Sequence, residues 1–164
     1  MIAVAAFAEQ TSAIDLGVSR SPQSLNRQMQ LLNGTGAGRA DRVFSDRRTL
    51  AASATEDLDL AGTLVDAFGA AVTFARIKGL VIAAAAGNTN NVVIGAAATN
   101  PWATLLGATH TATIRPGGFL AIGTGVADAT GYAVTASTGD LLKVANSAGG
   151  TGVTYDIHII GCSA

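Results

Sequence analysis

The segment TYDIHII (154–160) decides the fold class. Tyr155, Ile157 and Ile159 fall on one side of a two-residue period, with Asp156 and His158 on the other. That alternation is the signature of a strand with one buried and one wetter face. Working back from it, short β-branched or apolar runs at 42–51, 57–65, 71–77, 79–85, 91–95, 110–115, 118–123, 131–136, 140–145 and 153–160 are separated by Gly, Asn, Asp and Pro. Asn88 to Asn91 supply left-handed turn positions, and Arg115-Pro116-Gly117-Gly118 has Pro and Gly where tight turns want them. About ten short strands without a strand–helix–strand rhythm predict an all-β protein, preferably a jelly-roll-like β-sandwich. One helical interruption is expected at NPWATLLG (100–107), with Asn100 as cap and Pro101 in the first turn.

Upstream of this body, taken as residues 57–164, the first 56 residues are more polar and read as an arm or adaptor. Within them the expected elements are a short helix over about 22–32, a Gly-rich connector at 33–38 and a first strand at about 42–51. Ser21 and Pro22 suit a helix start and Gly34 its end, while Leu25, Met29 and Leu32 fall at helical spacing.

At 164 residues the chain is the size of one ordinary domain. It is rich in small apolar residues and only 5% aromatic, so each buried side chain removes little area from water, at roughly 25 cal/mol per Å². Association with further subunits is one way to add buried surface. Net charge is −1, which does not point to nucleic acid or an anionic membrane as partner. The opening MIAVAAFAEQ lacks a basic leader, and Asn88–Asn91 interrupt the apolar stretch 79–98. A soluble, non-membrane protein is expected. Cys162 is the single cysteine, so no intrachain disulfide can form.

Chemistry-bearing residues are sparse. NGTGAG (33–38) lacks the preceding strand and the GK[ST] ending of a phosphate loop. Asp156, His158 and Cys162 share strand parity, yet residues four apart on a strand are too distant for a Cys–His couple. Glu56, Asp57 and Asp59 read as a solvated strand face, lacking the alternating loop and closing Glu of a calcium site. No catalytic, cofactor-binding or metal-ligating set is assigned, and no cofactor is expected. Two features suggest contact with other proteins. Arg39, Arg42, Arg47 and Arg48 crowd one stretch and could meet an acidic partner surface, although Asp41 and Asp46 interleave with them. Trp102, the only Trp, is either a core plug or an interface anchor.

The runs DLDLAGTLVDAFGAAVTFARIKGLVI (57–82), VVIGAAATNPWATLLG (92–107), IRPGGFL (114–120) and GYAVTASTGDLLKVANSAGGTGVTYDIHIIG (131–161), with RVFSDRRTLAAS (42–53) upstream, resemble a family of small tailed-phage virion structural proteins. The resemblance implies a capsid cement or decoration protein: a homotrimer on the outer shell, clamping neighbouring subunits of the major capsid protein, and present in the host cytoplasm during assembly. A head- or tail-fibre component with a carbohydrate-binding sandwich is the alternative. Neither reading involves catalysis.

Overall fold

A computed structural model describes residues 1–164. The β-branched runs fold as strands, fifteen in chain order. They are β1 (Ile2–Ile14), β2 (Gly17–Met29), β3 (Leu32–Asn33), β4 (Arg39–Ala40), β5 (Arg42–Leu50), β6 (Thr55–Asp59), β7 (Leu64–Val65) and β8 (Ala71–Val72). The remainder are β9 (Arg76–Ala84), β10 (Val92–Gly95), β11 (Thr111–Ile114), β12 (Phe119–Gly123), β13 (Tyr132–Ala133), β14 (Leu141–Asn146) and β15 (Val153–Cys162). One helical turn, α1 (Ala103–Leu106), interrupts them.

Two sheets make the body. One has the order β11-β10-β14-β6; the other has β12-β9-β15-β5, with the short β13 added beside β9. The pairing is nested: β5 lies against β15, β6 against β14, β9 against β12 and β10 against β11, all antiparallel. Eight strands nested in this way and wrapped into two four-stranded layers have the topology of a jelly roll. The expected all-β, jelly-roll-like sandwich is what forms.

Alternation along each strand supplies the core between the layers. β15 contributes Tyr155, Ile157 and Ile159, β9 contributes Leu80 and Ile82, and β5 contributes Phe44 and Leu50. Facing them are Leu58, Val92, Ile94, Ile114, Leu142 and Val144 of the other sheet. Register shifts after Ile160: Ile160 pairs with Gly79, but Gly161 pairs with Ile77. Lys78 is thus an extra residue on β9, a β-bulge. Its side chain is fully buried, and Nζ donates to the Asp128 carbonyl at 2.6 Å.

Two expectations, both helices, are corrected. Residues 22–32 are not a helix; 22–29 lie within β2, paired along its whole length with β1. Leu25 and Met29 are four apart, an even spacing that puts them on one face of a strand as well as of a helix. A single short helix is marginal in water, whereas β1 offers thirteen opposed residue pairs. The Gly-rich 33–38 segment turns back on itself, with the Leu32 amide donating to the Gly38 carbonyl at 2.9 Å, so that β3 and β4 pair in parallel. The 100–107 helix shrinks to α1, without a side-chain cap at its start. Upstream, the Asn100 carbonyl accepts the Asp140 and Leu141 amides, and the Trp102 amide donates back to the Leu141 carbonyl. Those bonds hold the entry to the helix against β14. The strand expected at 42–51 does form, as an edge strand of the body's sheet.

A second, small apolar cluster joins the hairpin to the body. Ile2 and Met29, paired at the open end of the hairpin, pack on Ile160, with Leu31, Ala40 and Val81 around them. Gly79 makes room for this seat: a Cβ there would meet Ile2 Cδ1, and would lie 3.0 Å from Met29 Cε. Gly79→Val should therefore unseat the hairpin while sparing the main core. The expected result is a stability loss of about 1–3 kcal/mol, the usual range for overpacking, with faster proteolysis between residues 1 and 31.

Candidate functional site

The β1–β2 hairpin is the most distinctive surface. Its strands have thirteen residues each, about 40 Å at the usual strand rise. Only Ile2 and Met29 are buried; every residue between them is exposed. Neither strand pairs with anything but the other. The hairpin closes through Asp15 and Leu16, and Leu16 at the tip is fully exposed.

Opposed residues share a face, so the register sorts the side chains. One face carries Val4, Ala6, Ala8, Ile14 and Leu25; the other carries Ala3, Ala5, Phe7, Ala13 and Val18. Phe7 is 74% exposed and Leu25 52%. A two-stranded ribbon with no third strand and no covering layer is marginal in water. Its two free edges expose backbone groups that further strands could pair with, interrupted on β2 at Pro22, which has no N–H to donate. These features make the projection a candidate association element. The sequence did contain a weak signal for it, the apolar run from Ile2 to Ala8 followed by Asp15-Leu16-Gly17 as a turn.

The four arginines expected to meet a partner are dispersed. Arg47 makes a bidentate pair with Asp156 of β15, at 2.6 and 2.8 Å. Arg48, on the opposite face of β5, contacts Asp46 and Glu56 at 2.8 Å each. Glu56 also accepts the Tyr155 hydroxyl at 2.7 Å, so this group links the two sheets at the edge of the sandwich. Burial and the adjacent Glu56 push the Tyr155 hydroxyl's pKa upward. Arg42 lies 3.3 Å from Asp41, and Arg39 donates to the Asn33 carbonyl. Three of the four are thus answered by the chain's own carboxylates and do not form one basic patch. Exposed pairs of this kind contribute about 0–1 kcal/mol.

Trp102 is a core plug. It is 4% exposed, its indole N–H donates to the Ala133 carbonyl at 2.9 Å, and Tyr132 meets it edge-on at 6.3 Å. Glu56, Asp57 and Asp59 also separate: Asp57 lies opposite Lys143, and Asp59 accepts the Ala61 amide. No three His, Cys, Asp or Glu side chains come together in a metal-holding arrangement. Cys162 is fully buried, with Sγ 3.4 Å from the Arg39 carbonyl oxygen. Asp156 is held by Arg47 on the same sheet face.

His158 is half-buried on that face, between Val81 and Ser45 on the neighbouring strands. Burial holds its pKa below the ordinary 6.5. The folded state therefore binds a proton less readily than the unfolded one. The resulting stability is present above about pH 6.5 and is lost as pH falls through the lower folded value. Melting temperature should fall on acidification from pH 7 to 5, and His158→Gln should flatten that fall. Asp41, Asp128 and Asp156 have carboxyl pKa values below the ordinary 3.8. Their contributions fade only at more acidic pH, outside this window.

No helix is long and apolar enough to cross a membrane. Comparison with family models, curated proteins and solved structures finds no match to the chain.

Proposed function

We propose that this chain is a non-enzymatic structural protein of a phage particle, a cement or decoration protein on the outer capsid surface. In this reading the jelly-roll body is the rigid platform. The hairpin is the clamp that seats it among neighbouring subunits of the major capsid protein, in a homotrimeric assembly. The observation that carries the reading is the hairpin itself: a ribbon of about 40 Å whose only buried residues are Ile2 and Met29. Ordering so much exposed backbone is unfavourable unless a partner covers it. The resemblance of residues 42–53, 57–82, 92–107, 114–120 and 131–161 to phage virion proteins suggests the kind of partner.

The arginines add little to the clamp, since their carboxylate partners lie within the chain. A carbohydrate-binding sandwich would need open aromatic faces, and in the body Trp102, Tyr132 and Tyr155 are scattered. Trp102 and Tyr155 are buried and Tyr132 is half-buried against Trp102, which leaves these rings no open stacking face.

The test replaces residues 3–28 by a short Gly-Ser link between Ile2 and Met29, which are already opposed. Binding to preassembled coat shells should fall by about 100-fold or more, the scale of avidity lost when tethered contacts are removed. Undiminished shell binding by the excised chain would sink the clamp.

A further inference from the structure

We propose that the hairpin's free edges are covered by further copies of this same chain. The β1 edge of one copy pairs with the β2 edge of the next, and three or more hairpins close into a β-barrel stalk. This deepens the reading above by naming what lies along the edges of the clamp.

Chain direction permits it. Hairpins pointing the same way around a rotation axis set the outgoing β1 of one copy beside the returning β2 of its neighbour. The ladder between copies is then antiparallel, like the one within each hairpin. A closed ring leaves no edge exposed. Two hairpins provide only four strands, too few to surround a side-chain interior, which sets the minimum at three copies. The small side chains of Ala6, Ala8, Ser12, Ser19 and Ser21, which share one hairpin face, suit the narrow interior of such a barrel.

Charge selects this pairing over its rivals. The only charged residue of β1 is Glu9, and the only ones of β2 are Arg20 and Arg27. Within one hairpin Arg20 reaches diagonally to Glu9 at 3.3 Å, and the Arg20 side chain remains 64% exposed. In the ring, Glu9 lies between its own Arg20 and the Arg20 of the neighbouring copy. Like edges meeting about a two-fold axis fare worse. A β2–β2 contact adds only the neighbour's arginines, Arg20 on one face and Arg27 on the other, with no further carboxylate, and a β1–β1 contact adds only a second Glu9. Pairing of unlike edges is heterologous, and a heterologous contact that closes generates a ring.

The experiment uses the full-length chain without any shell. Light scattering after gel filtration should give a mass at least three times the 16.3 kDa of one chain. Cross-linking then identifies the edges. A chain carrying Ala8→Cys is mixed in turn with chains carrying Ser19→Cys, Ser21→Cys, Gln23→Cys or Leu25→Cys. These four share its hairpin face, and together they allow for strand stagger in a barrel. At least one mixture should give a disulfide dimer of unlike chains, while each chain alone gives none. The buried Cys162, common to all of them, serves as the background control. A 16.3 kDa species at every concentration overturns the proposal. So do Ala8→Cys dimers formed alone, or a multimer that cross-links in none of the four mixtures. Shell binding by a chain that fails here would leave the clamp standing and remove only the ring. A ring that ignores shells would do the reverse.

Discussion

A chain that begins at residue 51 will not fold, whereas a chain lacking only residues 3–28 will melt close to the intact protein. The first deletion also removes β3, β4 and β5, and of these β5 carries the core. β5 pairs with nine successive residues of β15 and buries Phe44 and Leu50 in the main core. Truncating a buried Phe costs about 3–5 kcal/mol and a buried Leu about 2–5. Their sum is comparable with the whole stability of about 5–15 kcal/mol typical of a folded domain. Loss of β5 also bares the edge of β15. By contrast, excising 3–28 leaves Ile2 and Met29 on their seat and touches no residue of the main core. Far-ultraviolet circular dichroism and a thermal melt on the two chains check this. A cooperative melt from the residue-51 chain would mean that β5 is dispensable and that the whole N-terminal segment is peripheral.

Trp102→Ala should cost about 3–5 kcal/mol and lower the melting temperature by roughly 6–20 °C, at about 2–4 °C per kcal/mol for a chain of this size. The loss has two sources: the vacated volume beside Tyr132, and the Ala133 carbonyl left without the indole donor. Trp102→Phe keeps most of the volume and should recover part of the shift. Shell binding of the Ala variant, measured below its melting temperature, should be unchanged. An interface anchor predicts the opposite pattern, with binding lost and melting unaffected.

The body strands were legible because their signal is local. Tyr155, Ile157 and Ile159 alternate with Asp156 and His158 whatever lies beside them, and alternation alone assigns the buried face. The N-terminal hairpin was misread because Pro22, Leu25 and Met29 satisfy a helix start and a strand face equally well. What resolves them is β1, some twenty residues earlier, and nothing in 22–29 records that partner. The arginines were misjudged for the same reason. Asp41 and Asp46 lie nearby in sequence, but Asp156 is 109 residues from Arg47, so its pairing exists only after β5 and β15 meet.

The sequence by itself determined the all-β class and the positions of most body strands. Both follow from residue type and short-range period. Tertiary structure alone decided which strands pair, because nesting joins β5 to β15 and β6 to β14 across most of the chain. It also decided that Trp102 faces inward, that the arginines are answered within the chain, and that β1 and β2 stand free. Those outcomes depend on contacts between residues far apart in sequence, and a local pattern carries no record of the partner it will meet.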